Sequence, residues 1–328
     1  MLWPYQSKQS WIEQVLKDHP EKQITDIVQV TNDGLISDSF SFFTDVKHEI
    51  NLEEVNKQNW KSGIRIIPKN HLHLTELIQL SLDNGIEWIQ TDLTHIEDST
   101  QLEYAFQNVM IDYLQLGFFL PSKHPYYIHF CEYFKSNADF RKALIISENS
   151  NPKDFIFTPA FVSNGTINSL ADQLYKICNA PNKKDGTILL YHELNNDFLK
   201  NIYTLRASQI VLRNLSECLN NSSVLHVATI TSKDIGKDPY SNLIQMSCMS
   251  VSAVLGGVDC LLLDSADLLN SDQDSKWTKA SIHLQQIVKQ EAKIFGFSDP
   301  LNGAYHIDDM TIKFANALWE RLREFSKV

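Results

Sequence analysis

The sequence predicts a (β/α)8 barrel preceded by an N-terminal arm. Three observations indicate this fold. Short apolar runs alternate with helical stretches beyond residue 60, the last part of the chain reads helix–strand–helix–turn–helix, and residues 1–60 sustain no apolar periodicity. At 328 residues and 43% hydrophobic content, the chain is large enough for one such barrel. We therefore predict an arm over residues 1–60 and a barrel over residues 61–328.

The arm is predicted to carry one short amphipathic helix, Trp11–Lys17, followed by polar sequence. Its weak patterning gives it no core of its own. We expect it to lie on the barrel or on another subunit.

Eight apolar runs have the length and spacing of barrel strands. They are Ile64–Ile67, Ile86–Gln90, Tyr113–Leu120, Ala143–Ser147, Phe155–Phe161, Thr187–His192, Val224–Ile230 and Val258–Asp264. Helical stretches fit between most of them. An open doubly wound sheet stays possible if one or two runs are not strands.

The closing unit begins with a strong helix start, because the acceptor Asp238 precedes Pro239 and Tyr240. The helix is predicted from Leu243 to Leu255, and Gly256-Gly257 ends it. After the last strand come a helix over Trp277–Phe295, a turn with Asp299-Pro300 and Gly303, and a final helix.

Composition excludes several classes of function. With 29 basic and 40 acidic residues, the net charge of −11 disfavours binding to nucleic acid or to an anionic membrane. The most apolar window, Ser247–Leu263, is interrupted by two glycines and Asp259 and does not predict a membrane span. Five widely spaced cysteines and the absence of a signal-peptide core at the N-terminus indicate a reduced, cytoplasmic protein.

Two residue patterns could indicate a metal site or a phosphate loop, but we interpret both as structural. His71-Leu72-His73, with His192 and Asp264 at strand ends, could be zinc ligands of a barrel metallohydrolase, but Pro68-Lys69-Asn70 separates the pair from its strand. We interpret His71 and His73 as exposed residues of a helix start. Gly256-Gly257 precedes a strand instead of opening a helix, so it is interpreted as a helix stop and not as a phosphate loop.

Two further side chains, Arg206 and Tyr305, are expected to have structural roles. We expect Arg206 to form a salt bridge within the chain, although it could grip a ligand carboxylate. Tyr305 is expected to pack as an aromatic residue, although it could contact a ligand or a partner.

Several motifs occur in a specific order: DPYSN at residue 238, LGGVDCLLLD at 255 and SDPLNGAYHIDDMT at 298. Together with IYTLRA at 202 and the opening SWIEQVLK, they resemble the methylmalonyl-CoA mutase family, strongly after residue 195 and weakly before. The resemblance implies an adenosylcobalamin-dependent isomerase of acyl-CoA esters on a barrel of this type. Its signature positions, expected to be structural or interface residues, are Arg206, Asp238, Pro239, Tyr240, Gly256, Gly257, Asp299, Pro300, Gly303 and Tyr305.

The resemblance also implies site features that this sequence lacks. No D-x-H-x-x-G occurs, and the printed sequence ends at Val328, so we expect no cobalamin domain. The family's Tyr-His pair aligns with Pro159 and Ala160, which have no side-chain donor. The family's RQYAGF segment has no match, and WKSGIRIIP stands in its place from Trp60. Bulky strand residues would fill a bore that must hold pantetheine.

The sequence-based expectation is therefore a small (β) subunit of a methylmalonyl-CoA mutase, inactive alone, with no catalytic, cofactor or metal residues. A catalytic large subunit would carry the adenosylcobalamin, and a homodimer stays possible. The alternatives are an acyl-CoA mutase that uses a separately encoded cobalamin domain and the metallohydrolase.

Overall fold

The computed structural model describes residues 7–38, 41, 59–140, 142–147, 158–180, 186–219, 222–230, 235–269, 275–294 and 299–325. Eight parallel strands form one sheet, in the order β4-β3-β2-β1-β8-β7-β6-β5. They are β1 Lys61–Ile66, β2 Trp88–Asp92, β3 Gln115–Phe119, β4 Leu144–Ile146, β5 Ala160–Ser163, β6 Thr187–Leu194, β7 Ser223–Ile230 and β8 Cys260–Leu263.

The sheet closes into a barrel. β8 pairs with β1, with Leu262 opposite Gly63, so the last strand returns to the first. On the remaining seam, the Thr158 amide donates to the Ile145 carbonyl at 2.7 Å, which links β4 to the segment that enters β5. The predicted (β/α)8 barrel is confirmed.

Seven of the eight predicted runs coincide with strands. The run Phe155–Phe161 does not, because its strand lies later, at Ala160–Ser163, and residues 155–157 fall outside the described part of the chain.

Eight helices surround the strands within the described segments. They are α1 His71–Asp83, α2 Ser99–Phe106, α3 Tyr127–Ser136, α4 Ile167–Asn179, α5 Phe198–Asn214, α6 Pro239–Leu255, α7 Ser275–Gln286 and α8 Tyr305–Phe325. A π-helical turn, Ile287–Glu291, extends α7. Among the described residues, no helix is both long and apolar enough to cross a membrane.

Local sequence explains where most of these helices begin. α1, α2, α4, α5 and α6 each follow a residue whose side-chain oxygen accepts a backbone N–H of the first turn, which satisfies a donor that has no partner within the helix. These capping residues are Asn70, Asp98, Thr166, Asp197 and Asp238.

Apolar side chains fill both the barrel and the layer between strands and helices. One cluster joins β1–β3 to α1–α3, and a second joins α4 and α5 to α8. Because α8 covers α5, α5 has buried residues on almost every side, from Lys200 to Leu212. α5 is thus a central helix rather than a surface helix.

Part of the N-terminal arm lies on the barrel. A helix, Lys8–Asp18, precedes a two-stranded antiparallel hairpin made of Val28–Val30 and Ile36–Asp38. In the turn of this hairpin, Asp33 accepts hydrogen bonds from the Lys200 ammonium at 2.6 Å and from the Ile167 amide at 3.1 Å. The Lys200 and Asp33 side chains are 9% and 6% exposed, so the hairpin is anchored by a buried ion pair.

Candidate functional site

The interior of the barrel is packed with side chains. Every second residue of a strand points inward, and these residues form one buried cluster. Its members are Trp88, Leu144, Ile146, Leu189, Tyr191, Val227, Cys260 and Leu262. Glycines make room for two of them. A Cβ on Gly117 would lie 3.3 Å from the Trp88 indole nitrogen, and one on Gly63 would lie 3.0 Å from the Cys260 sulfur.

A hydrogen bond from one member of this cluster crosses the barrel. Tyr191 on β6 donates its hydroxyl to the Gln90 side-chain oxygen on β2 at 2.8 Å. β2 and β6 are four strands apart in either direction around an eight-stranded barrel, so this bond spans the diameter. Burial raises the pKa of the Tyr191 phenol. The neutral hydroxyl therefore remains a donor, and the pair closes the barrel axis.

An ion pair lies at the carboxyl-terminal mouth, where barrel enzymes place their chemistry. The Arg65 guanidinium on β1 donates two hydrogen bonds to the Asp264 carboxylate, which follows β8. The Asp264 side chain is 2% exposed and that of Arg65 is 34% exposed. Burial raises the pKa of Asp264, and the adjacent guanidinium opposes that rise. The Arg65 cation at the mouth is thus already matched by a carboxylate.

The positions that align with the family's Tyr-His pair carry no hydrogen-bonding side chain. Ala160 begins β5 and packs against the interior cluster, while the Pro159 carbonyl accepts the Leu189 amide at 2.8 Å. The backbone here belongs to the sheet ladder. Neither residue has a side-chain group suited to bind a thioester carbonyl.

Four of the signature residues, Arg206, Gly256, Gly257 and Asp299, meet at the opposite end of the barrel, where α5, the end of α6 and the loop before α8 come together. The Arg206 guanidinium binds the Asp299 carboxylate in a bidentate pair, at 2.7 and 3.0 Å. It also donates to the Leu255 carbonyl at the end of α6, at 3.1 and 3.2 Å. The Arg206 and Asp299 side chains are 1% and 5% exposed. This confirms the expected intrachain salt bridge of Arg206.

The two glycines after α6 complete this junction. The Gln209 amide group donates to the carbonyls of Gly256 and Gly257, at 2.9 and 3.1 Å. A Cβ on Gly256 would lie 2.6 Å from a Leu205 methyl carbon, and Gly257 has a φ of +83°. Only glycine fits the first position without displacing α5, and it is favoured at the second. The pair is a helix stop, as predicted.

We call this junction, formed by Arg206, Gln209, Leu255–Gly257 and Asp299, the basal clasp. Sequence reasoning missed Gln209, although its place one turn after Arg206 on the same helix is a usable signal. The Asp299 turn supports the clasp, since the Leu301 amide donates to the Asp299 carboxylate at 3.0 Å. Pro300 lies in this turn, and Gly303 has a φ of +83°. Conservation at this end of a barrel would reflect stability and not catalysis.

The start of α6 is also structural. Asp238 accepts the Tyr240 and Ser241 amides, and Pro239 occupies the first helical position. The Asn242 amide group donates to the carbonyls of Gly236 and Ala266, at 2.8 and 2.7 Å. Tyr240, by contrast, is 68% exposed, and Tyr305 at the start of α8 is 44% exposed.

The histidines of the metal hypothesis do not converge. His71 and His73 lie in the first turn of α1, as expected, although both are half-buried and not exposed, and Asp264 pairs with Arg65. His192 faces the helices, where its Nε2 lies 3.0 Å from His226 Nδ1. The pKa of His192 lies well below its ordinary value. Burial of the ring is the main cause, and the nearby His226 is the second. No group of three or more potential ligands occurs in the described part of the chain.

These features define a class of protein: a (β/α)8 barrel with a packed axis, in which the motifs around Arg206, Gly256 and Asp299 build a junction at the amino-terminal face. A family model then matches part of the chain. Residues 186–328 match the model described as methylmalonyl-CoA mutase. This region, which spans β6 to α8, is similar to the methylmalonyl-CoA mutase family, as its motifs indicated.

Curated relatives agree with this assignment over short segments. The chain is 29% identical over 86 residues to the 2-hydroxyisobutanoyl-CoA mutase large subunit of Aquincola tertiaricarbonis, covering 26% of this chain and 15% of that protein. It is 28% identical over 88 residues to the methylmalonyl-CoA mutase of Rhizobium meliloti, covering 27% and 12%. It is 26% identical over 93 residues to the methylmalonyl-CoA mutase small subunit of Propionibacterium freudenreichii, covering 28% and 15%.

The alignments thus span about an eighth to a seventh of these relatives. They include both large and small subunits. Among solved structures, the native KDPGal structure is 15% identical with a TM-score of 0.45, covering 71% of this chain and 98% of that one, a likeness too low to add to the fold assignment.

Proposed function

We propose that this chain is a small-subunit-like component of an adenosylcobalamin-dependent methylmalonyl-CoA mutase. In this role it does not catalyse the isomerisation of methylmalonyl-CoA to succinyl-CoA. It stabilises a catalytic large subunit, and the two work in the cytoplasm. The names of relatives that are mutase subunits support a role within such an assembly.

The closed barrel axis is the observation that carries this proposal. A substrate threaded along the axis needs an open bore, whereas here buried side chains fill it and the Tyr191–Gln90 hydrogen bond spans it. Opening a path would require removing Trp88 and breaking a buried hydrogen bond. Both changes are costly, since a buried aromatic side chain contributes several kcal/mol.

The uneven retention of family features supports the same role. The basal clasp keeps its bidentate ion pair and both glycines, and these hold the scaffold together. The positions that align with the family's Tyr-His pair, in contrast, carry Pro159 and Ala160, which have no side-chain donor and lie at the amino-terminal start of β5, away from the mouth. A chain that is under selection for its shape but not for chemistry would keep the first set and lose the second.

The residues of this chain do not fit a corrin cofactor. The D-x-H-x-x-G loop is missing from the printed sequence. Arg65, which faces the mouth, is already bound to Asp264. We therefore assign adenosylcobalamin to the partner subunit and derive no step of the reaction through residues of this barrel.

Co-purification tests the partner. The tagged chain is co-expressed with a mutase large subunit from the same genome, and the expected result is a stoichiometric complex with a higher melting temperature than the large subunit alone. Failure of the tagged chain to retain the large subunit would refute the pairing.

A matched variant tests the non-catalytic role within that complex. Tyr191→Phe removes one hydroxyl and leaves the ring, so mutase turnover of the complex should be unchanged. A tenfold or greater fall in kcat, with the complex intact, would place the reaction in this barrel.

Coenzyme A esters distinguish the alternative, an acyl-CoA mutase barrel served by a separate cobalamin domain. Under our proposal, methylmalonyl-CoA leaves the melting temperature of the isolated chain unchanged. A rise that saturates with ester concentration would indicate an acyl-CoA site and would favour the alternative.

A further inference from the structure

A buried cation lies where a helix disfavours one. Lys200 is the third residue of α5, and the amino-terminal end of a helix carries a partial positive charge that opposes a cation. The Lys200 side chain is only 9% exposed, so solvent screens its ammonium group poorly. Asp197 begins the same helix, and its carboxylate accepts the Lys200 backbone amide at 3.1 Å as a cap. A buried ammonium group in this position requires an anion beside it.

The start of the neighbouring helix, α4, supplies a second donor. Thr166 caps α4 by accepting the Ser169 amide at 3.2 Å, so the amide of Ile167, the first residue of the helix, can donate to a group outside it. Backbone amides at a helix start favour anions, because the N–H groups and the helix dipole point the same way. The Lys200 ammonium and the Ile167 amide thus offer two donors to one anion.

An anion is bound to both donors, and the arm provides it. One oxygen of the Asp33 carboxylate accepts the Lys200 ammonium at 2.6 Å, and the other accepts the Ile167 amide at 3.1 Å. The Asp33 side chain is 6% exposed, so the carboxylate is enclosed between the arm and the barrel. Asp33 lies in the turn of the arm hairpin, 134 and 167 residues before its two donors. The donors therefore belong to the barrel, whereas the anion does not.

We propose that Lys200 and the first turn of α4 form an oxyanion site of the barrel, and that Asp33 occupies this site as a tethered ligand. The class of free ligand is a small carboxylate, since the two donors bind the two oxygens of one carboxylate group. A free carboxylate and the docked hairpin exclude each other, because both require the same donors. By linkage, a carboxylate that fills the site favours release of the hairpin. The inference is independent of the proposed mutase partner.

Removal of the Asp33 carboxylate tests the site. In Asp33→Ala the two donors lose their anion, and formate has the carboxylate that the variant lacks. Formate should raise the melting temperature of this variant along a saturating curve, by about 3 °C at about ten times its dissociation constant. Potassium chloride at the same ionic strength should give no such curve. The wild type should show no rise specific to formate, because Asp33 already fills the site.

Two control variants separate binding at this site from a general effect of salt. Asp38→Ala removes another carboxylate from the same hairpin. The partners of Asp38 are the ammonium groups of Lys8 and Lys313, both 32% exposed, so this variant should not respond to formate. The double variant Lys200→Met/Asp33→Ala lacks the buried cation, and its melting temperature should be the same in formate and in chloride.

Amine labelling gives a second measurement that does not depend on melting. N-hydroxysuccinimidyl acetate should acetylate Lys200 faster in Asp33→Ala than in the wild type, and formate should slow this reaction again. Lys176 on α4 is 54% exposed and serves as the internal control, with the same rate in every sample. Mass spectrometry of the digested chain reads both rates. If Asp33→Ala does not fold in chloride, its refolding yield in formate against chloride provides the same comparison.

An equal response of Asp33→Ala to formate and to chloride would overturn the proposal. So would a formate-specific rise of the same size in Asp38→Ala or in the double variant, since neither has both a vacated carboxylate position and the buried cation. Labelling of Lys200 that formate does not slow would contradict it as well. None of these results changes the proposed function, because co-purification measures retention of the large subunit and not the binding of an anion.

Discussion

Replacing Asp299 by Asn should destabilise the barrel more than any change to a surface ion pair. Asn keeps the shape of the side chain and removes its charge, so the Arg206 guanidinium loses its counterion. Both side chains are almost fully buried, at 1% and 5% exposure, and solvent does not screen the unmatched charge. The two hydrogen bonds from Arg206 to the Leu255 carbonyl remain, and they reduce the loss of stability.

The expected cost follows from this geometry. Removing one partner of a buried ion pair typically costs about 3–5 kcal/mol. Because Arg206 keeps its hydrogen bonds to the Leu255 carbonyl, we expect Asp299→Asn to lower the free energy of unfolding by about 3 kcal/mol, the lower end of this range. With a urea dependence of about 3 kcal/mol per molar, the unfolding midpoint should fall by roughly 1 M.

Urea unfolding followed by circular dichroism measures this shift, with Asp172→Asn as the matched control. The Asp172–Lys176 pair is exposed on α4, at 39% and 54%, and its loss should cost no more than about 0.5 kcal/mol. The double variant Arg206→Met/Asp299→Leu replaces the pair by apolar residues and should be more stable than Asp299→Asn. An Asp299→Asn cost below about 1 kcal/mol would show that the basal clasp is not held by this pair.

Three further outcomes follow from the structure. Gly256→Ala should lower the free energy of unfolding by about 1–3 kcal/mol, because the new methyl group would overlap Leu205; an unchanged urea midpoint would contradict this. The folded-state pKa of His192 lies below its ordinary value of 6.5, so the folded state resists protonation of this ring. The free energy of unfolding should therefore be greatest above pH 6.5 and should decrease as the pH falls below 6.5. His192→Gln should show a shallower loss of stability between pH 6.5 and acid, and identical pH profiles would exclude His192 as the cause. Lys200→Met should leave Asp33 buried without a counterion and expose the arm hairpin to limited proteolysis, whereas equal cleavage rates would mean that the ion pair does not anchor it.

The barrel was predictable because each strand is a separate apolar run, and the alternation of runs with helices repeats. β5 was the exception. Its apolar run is continuous with the preceding segment, so the sequence marks the presence of a strand but not its first residue. Within the described residues, a backbone hydrogen bond from Thr158 links β4 to the chain before β5, and no side-chain pattern encodes it.

The candidate site was predictable only where motifs marked it. Arg206 and Asp299 both stand in recurrent motifs, but 93 residues separate them, so the sequence indicated a salt bridge without its partner. No sequence motif marks Tyr191 or Gln90, so their hydrogen bond was not predicted. A two-residue period says that alternate side chains share a face without saying which face points inward, so contacts across the bore become visible only with the closed sheet.

The enclosure of α5 by α8 has a consequence for the order in which the protein is made. Translation releases α5 long before α8, and Arg206 meets Asp299 only after nearly the whole chain has left the ribosome. Until then, the apolar side of α5 that Phe314 and Leu318 later cover is open to solvent. Nascent chains that stop short of residue 300 therefore expose the apolar side of α5. Premature termination should yield fragments that aggregate instead of smaller folded barrels.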